Sequence, residues 1–302
     1  MIILDIPKEF QPNYKSTYPG YSSGKNMEEI FFDFFSKNKN EIETTNSEYI
    51  YLPVFWTSYY VTNNYAKNID RLYNWLDQLD KTKKYFTIVQ YASGIFVKNF
   101  DLNILVFSAG GGGLNINNNI TTRELNYYGL NRSCFFGEKG DYDIPLMCLP
   151  LIPSLKINKS IFCSFMGRFD THKCRIDMRN LLQHNNKFVF YESLGFEQYK
   201  QILNSSIFTL APRGFGYTSF RIYEAIMADS IPIYIWDDKR VLPFSNKINW
   251  DDFSIIIHQN DIHMLPNILE NTDINKIQNN LQKIKHLFTF EETFKYIISS
   301  LE

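Results

Sequence analysis

The segment APRGFGYTSFRIYEAI, residues 211–226, carries the strongest local chemical signal in the chain. A strand-like run, SIFTLAP, ends at Pro212-Arg213-Gly214, and Gly216 follows two residues later. Gly214 and Gly216 lack a Cβ, so backbone there can approach a ligand closely. Thr218 or Ser219 can cap the helix that the next residues predict. That helix's free N–H groups and dipole favour an anion, and Arg213 and Arg221 can add charge-assisted hydrogen bonds to it. Glu224 lies three residues beyond Arg221, on the same helix face one turn deeper, placed to accept hydrogen bonds from a ribose. Each piece also has a plainer reading: Arg221 and Glu224 as an intrahelical ion pair, the glycines as a simple turn. Their coincidence at the carboxyl end of a strand is what favours a nucleotide site.

Other candidates carry less. Gly110 to Gly113 form a run of four, but without a following Gly-Lys-Ser/Thr they are no phosphate loop and read as a flexible turn. Asp141-Tyr142-Asp143 has the spacing that chelates a divalent cation with a sugar diphosphate, yet a lone three-residue match reads more simply as a polar loop. Among the five histidines only His172 falls near the proposed site, and solvent exposure is the reading we give it. Cys134, Cys148, Cys163 and Cys174 show neither the close pairs of a zinc site nor the density of a disulfide scaffold. No resident metal or cofactor is expected.

These residues need elements to hold them. With 44% hydrophobic and 17% aromatic residues, 302 residues suffice for buried cores in about two domains. A formal charge of −1 supplies no global field for nucleic acid or an anionic membrane, so an anion must be bound locally. From residue 48 onward apolar runs alternate with helical periodicity, which predicts an α/β architecture. Strands are expected at Tyr49 to Phe55, Tyr85 to Tyr91 and Asn103 to Ser108, with Ile69, Leu72, Leu76 and Leu79 on one helix face. The proline-bearing stretch LPLIPSLKINKS, residues 149–160, predicts a domain boundary. Beyond it, strands are expected at Ile161 to Met166, Lys187 to Tyr191, Ile207 to Ala211, Ile231 to Trp236 and Phe253 to His258. Helices are expected near Cys174 to Gln183, Phe196 to Asn204 and Ser219 to Ala228, and two more beyond Asp273. Such doubly wound sheets bind ligands beyond the carboxyl ends of their strands.

The run from Tyr199 through Phe253 resembles the exostosin-like glycosyltransferases of family 47 type. It has a Ser-x-Phe strand, a Pro-Arg-Gly loop, a Ser-x-Arg helix start with Glu-Ala, an Ile-Pro strand and a Pro-Phe…Trp-x-x-Phe tail. Where the family usually has Gly this chain has Asp229, a residue that tolerates left-handed backbone angles. FCSFMGRFDTHKCRIDMR, residues 162–179, resembles the family's opening strand of the donor domain. It makes Arg168 and Arg175 further diphosphate ligands, against the alternative that Arg175 pairs with Asp177 or Glu192 on the surface. The less specific matches YFTIVQYASG and NILVFSAGGGG place Gln90, Ser93 and the glycines 110–113 at strand ends.

The resemblance implies the GT-B fold, two Rossmann-like α/β domains facing a cleft. It divides the chain into an acceptor-side domain at 1–152, a donor-nucleotide domain at 153–288, and a C-terminal helix at 289–302 packing back on the first. It further implies an inverting, metal-independent transfer from a nucleotide-sugar, a UDP-sugar first of all, to a glycan or other hydroxyl acceptor. The diphosphate would leave toward Arg213, Arg221 and a helix terminus. A base in the N-terminal domain would take the acceptor proton, with Asp143 and Glu138 the first candidates and Asp141 and Glu124 behind them. Rival readings are a fucosyltransferase-like enzyme using GDP-fucose, and an inactive sugar-nucleotide or glycan-binding module. The N-terminus MIILDIPKEF lacks a basic region and a sustained apolar run, so neither a signal peptide nor a membrane span is expected. The expected location is cytoplasmic.

Overall fold

A computed structural model describes residues 1–17, 19–40, 47–63, 70–92, 94–96, 101–115, 121–127, 130–136 and 139–302, of which 96, 115, 121–127 and 130–136 are described by backbone alone. The chain forms two compact α/β units. Unit 1 comprises Met1–Asn126, Asn131–Pro150 and Phe290–Glu302, and unit 2 comprises Tyr127–Leu130 and Leu151–Thr289.

Unit 1 is built on a five-stranded sheet in the order β1 (Ile2–Ile3), β2 (Tyr49–Tyr51), β3 (Lys84–Val89), β5 (Asn103–Ser108), β9 (Tyr142–Asp143), every pair parallel. Two short two-stranded pairs accompany it: β4 (Ile95–Phe96) with β6 (Leu114–Asn115), and β7 (Thr121–Tyr127) with β8 (Leu130–Phe136). β3, KYFTIV, is buried at every position after Lys84, which is how a strand covered on both faces reads in sequence. Its polar member, Thr87, is satisfied: it accepts from the Trp56 indole at 2.7 Å and donates to Leu52 O at 2.8 Å. The expected strand from Tyr49 to Phe55 stops at Tyr51. Pro53 has no N–H to give a ladder, and helix α2 begins at Trp56.

Among the described residues the helices of unit 1 are α1 (Met27–Lys37), α2 (Trp56–Thr62), α3 (Asp70–Leu76) and α9 (Phe290–Ser299). On α3, Leu72 and Leu76 are buried as their spacing predicts; Leu79, past the helix end, is half-buried, and Ile69 lies outside the described residues. α9 places Phe294 against Phe35 of α1 with ring centroids 5.0 Å apart, and Phe290 against Phe31 at 6.2 Å.

Unit 2 also has five parallel strands, in the order β11 (Phe188–Tyr191), β10 (Ile161–Met166), β12 (Ser206–Pro212), β13 (Ile231–Trp236), β14 (Ile255–His258). Helix α4 (Lys173–Leu182) follows β10, α5 (Phe196–Ser205) follows β11, α6 (Phe220–Met227) follows β12, and α7 (Leu265–Glu270) and α8 (Ile274–Ile284) follow β14. This Rossmann-like alternation encloses a core that includes Cys163, Phe165, Leu210 and Ile233. Among the described residues no helix is long and apolar enough to cross a membrane.

Candidate functional site

In unit 2 the strand order reverses between β10 and β12. Connections leaving those two strands run to opposite faces of the sheet and open a crevice at their carboxyl ends, the place where doubly wound sheets bind ligands. Two loops meet there. One runs from Gly167 to Thr171 and enters α4, capped by His172; the other runs from Arg213 to Thr218 and enters α6, capped by Ser219. The Ser219 hydroxyl accepts from Arg221 N at 3.4 Å, so the capping expected of this segment is made. Thr218 is buried beside it, its hydroxyl 3.5 Å from that of Tyr223.

Arg221 reaches from α6 across to the end of β10. Its Nε donates to Met166 O, and its guanidinium lies over the Phe165 ring, 5.0 Å from the centroid. Gly167 makes this approach practicable: it has φ +137°, and a Cβ there would sit 1.7 Å from Arg221 Nη2. Arg175 reaches from α4 and ties both loops together. It donates through Nε to Arg213 O at 2.9 Å, through Nη1 to Arg168 O at 2.9 Å and through Nη2 to Pro212 O at 3.4 Å. At 1% exposure it is no surface residue, and Asp177 pairs with Lys173 instead. Gly214 packs beside it; a Cβ would stand 2.9 Å from Arg175 Nη2.

Arg213 is held inside the loop it was expected to arm. Nε donates to Gly216 O at 3.0 Å, Nη1 to Asp237 Oδ1 at 2.6 Å, and the guanidinium covers the Tyr217 ring. Its role in this geometry is to fold the Arg213–Gly216 turn. Burial raises the Asp237 carboxyl, but the charge and hydrogen bond of Arg213 outweigh it, and the net shift is below the usual value. His172, expected in solvent, is buried. Its Nδ1 accepts from Cys174 N at 3.2 Å, and its Nε2 lies 3.4 Å from Asp237 Oδ2. Burial, reinforced by Arg213, lowers its pKa to about 4, so at neutral pH it meets Asp237 as an uncharged N–H donor and not as an ion. Arg168 points outward, 64% exposed, in a pair with Asp170 that adds little stability.

Glu224 is buried one turn into α6. The Tyr199 hydroxyl of α5 donates to its Oε2, while Oε1 is buried with no hydrogen-bond partner. Burial pushes its pKa up to about 8. Arg221 and Glu224 form no ion pair; each turns to a different neighbour, and the surface-pair reading fails. A buried carboxyl group with an unused oxygen, one turn into a helix whose first turn bears an arginine, is equipped to receive a hydroxyl donor behind an anion.

Unit 1 separates the remaining candidates. Asp143 pairs with Lys139 at 2.7 Å, and Asp141 Oδ2 accepts from Val106 N at 2.7 Å, tying its loop to β5. Glu138 and Ser93 lie outside the described residues, and Glu124 is described by backbone alone. Gly110 to Gly113 are buried in a turn closed by Ser108, whose hydroxyl takes Gly111 N at 2.9 Å and gives to Gly112 O at 2.7 Å. A Cβ at Gly110 would lie 2.2 Å from Gln90 O, which leaves no open cradle.

A polar cluster that the sequence reading passed over lies at the end of β3. Glu28 accepts from Thr57 N, the Thr57 hydroxyl and Gln90 N, Glu29 accepts from Ser58, and Gln90 bonds Met27 N and Asn26. Burial, then the neighbouring Glu29, raises Glu28 to about 7. The signal was the capping pattern Asn26-x-x-Glu29 at the start of α1. Among the described residues no group of three or more His, Cys, Asp or Glu could hold a metal ion.

Residues 135–272 match the family model described as the Exostosin GT47 domain. The chain is 28% identical over 151 residues to a probable glucuronosyltransferase of Oryza sativa subsp. japonica, covering 45% of this chain and 35% of the relative. It is 26% identical over 122 residues to an exostosin-1 homolog of Caenorhabditis elegans, covering 37% and 32%. The matches thus span about a third of these relatives' length. Among solved structures, TarM aligns with 76% of this chain and 52% of its own at 9% identity and TM-score 0.41. The pneumococcal O-GlcNAc transferase GtfA, in complex with UDP and GlcNAc, aligns with 90% and 59% at 11% identity and TM-score 0.38. Residues 135–272, which include every member of the unit 2 site described above, are thus similar to the exostosin-like glycosyltransferases.

Proposed function

We propose that this chain is an inverting glycosyltransferase that moves a sugar from a nucleotide-sugar, a UDP-sugar in the first instance, to a hydroxyl of a glycan or other acceptor. The observation that carries the reading is Glu224: a buried carboxylate with an unused oxygen, one turn behind a capped helix start at the crevice between β10 and β12. In this reading Glu224 receives the ribose. The N–H groups opening α6, with Arg221 and Arg175 behind them, set up the positive field into which the diphosphate departs. The acceptor oxygen bonds to the anomeric carbon as the bond to the diphosphate oxygen breaks, and the acceptor's proton passes to a base. Asp143 and Glu138 are the bases we propose. Support for sugar transfer comes from the GT47 match and from relatives named as exostosin and probable glucuronosyltransferase.

The test is a thermal-shift panel of UDP- and GDP-sugars, with donor hydrolysis followed by product release and each arm repeated in EDTA. A ligand at one hundred times its dissociation constant stabilises the native state by about 2.7 kcal/mol. UDP-sugars should raise the melting temperature and be hydrolysed slowly, with or without chelator. A larger shift from GDP-sugars would move the donor to the fucosyltransferase-like alternative. Loss of turnover in EDTA, restored by Mn²⁺, would defeat the metal-independent mechanism, and binding without release of UDP or GDP would leave a binding module.

A further inference from the structure

Besides Glu224 Oε1, a second buried side-chain oxygen at the unit 2 crevice has no hydrogen-bond partner: Thr171 Oγ1. Thr171 is 5% exposed. A buried threonine hydroxyl ordinarily bonds back to a nearby carbonyl, and one left without a partner costs free energy. Three features surround this one. Thr171 immediately precedes His172, the cap of the ten-residue helix α4, and so lies at that helix's positive end. Across from it is Gly214: the point a Gly214 Cβ would occupy is 4.0 Å from Thr171 Oγ1 and 2.9 Å from Arg175 Nη2. The bare backbone of Gly214, the edge of the Arg175 guanidinium and the Thr171 hydroxyl therefore stand together where the two loops meet.

The charge around this hydroxyl selects the partner it would take. Arg175 and the start of α4 are positive, the Asp237 carboxylate is matched by Arg213, and that of Asp170 by Arg168. His172 contributes no charge near neutral pH. We infer that Thr171 is a ligand of the donor's diphosphate, its hydroxyl donating to an anionic phosphoryl oxygen beside Arg175. This rests on the nucleotide-sugar reading and extends it to a residue on the β10 side of the crevice. The bound anion supplies the partner that the hydroxyl lacks in the free protein.

The experiment is calorimetry of the full chain and its Thr171→Val and Thr171→Ser variants with three probes: UDP, inorganic pyrophosphate and uridine. Valine keeps the shape and removes the hydroxyl. Thr171→Val should weaken UDP and pyrophosphate about tenfold, leave uridine unchanged, and melt no lower than the parent because an unpartnered hydroxyl has become a methyl. Thr171→Ser should restore diphosphate binding; Thr171→Ala gives the same contrast if valine does not fit. A valine variant that binds pyrophosphate as the parent does overturns the inference, as does a serine variant that fails alongside valine. In either case UDP binding by the parent leaves the nucleotide reading standing. If the parent itself binds neither UDP nor pyrophosphate, both readings fall.

Discussion

Glu224 shows how a residue's type can be legible while its state is not. Position three after Arg221 placed it on the inner face of a helix, but sequence spacing permits an ion pair with Arg221 equally well. What decides between them lies across the fold: Met166 O takes Arg221, and the Tyr199 hydroxyl takes Glu224. The same blindness put His172 in solvent and armed Arg213 for a ligand, because Asp237, their common partner, arrives from the end of β13. The buried state of Glu224 makes a testable expectation. With a pKa near 8 it is mostly protonated at neutral pH, while ribose hydroxyls bind best to the carboxylate. Uridine affinity should therefore rise with pH toward about 8, approaching tenfold per unit where only the ionised fraction binds. Glu224→Gln should lose that dependence, bind uridine more weakly and bind pyrophosphate as before. The sign for stability runs the other way. A carboxyl raised from 4.5 to about 8 on folding gives stability that is fully present below 4.5 and declines as pH rises through 8, and the glutamine variant should lack this part of the decline. Equal uridine binding by parent and variant across the pH range would remove Glu224 from the site.

At the scale of elements, strands of continuous apolar residues were the most readable. Asn103 to Ser108, Ile161 to Met166 and Ile231 to Trp236 have the bounds their sequence predicts. α1 was not read at all, because MEEIFFDFFSK buries two glutamates among its apolar residues, and only the Asn26 to Glu29 cap marks it. The turn ending α6 was readable at one residue. Asp229 adopts φ +56°, and Ser230 N bonds Ala225 O at 2.9 Å while Asp229 N bonds Ile226 O at 3.2 Å, the paired bonds of a left-handed helix terminus. Its carboxylate does more than tolerate that angle: it accepts from Ser154, from Gln282 and from Lys285 at the end of α8. Replacement should then separate backbone from side chain. Asp229→Gly keeps the turn and loses three hydrogen bonds, whereas Asp229→Ala loses them and adds left-handed strain of about 1–2 kcal/mol. Asp229→Asn keeps the angle and part of the bonding. Urea denaturation should rank stability Asn above Gly above Ala, and an alanine variant as stable as glycine would show that the turn does not need the left-handed residue.

The whole molecule distributes its chain unevenly, and that has a measurable consequence. All residues assigned to the nucleotide, from Thr171 through Glu224, belong to unit 2, yet the last helix of the chain belongs to unit 1. There Phe294 meets Phe34 at 5.9 Å and Phe35 at 5.0 Å, Phe35 in turn packs at a tilt against Tyr51 of β2, and Ser47 donates to Leu301 O at 3.2 Å. Periodicity alone marks α9 as amphipathic, but which apolar surface receives it depends on contacts more than 250 residues apart, as between Ser47 and Leu301. Unit 1 thus lacks part of its core until the chain's end is in place. Truncating a buried aromatic typically costs about 3–5 kcal/mol, so Phe294→Ala should lower the melting temperature by several degrees or more and expose apolar surface to a dye such as ANS. Below that transition the variant should bind UDP with the parent's affinity, because every proposed nucleotide ligand lies in unit 2 and Phe294 in unit 1. A folded Phe294→Ala protein that loses UDP binding would mean that the nucleotide site draws on unit 1 as well, and that the ligands named in unit 2 are an incomplete set.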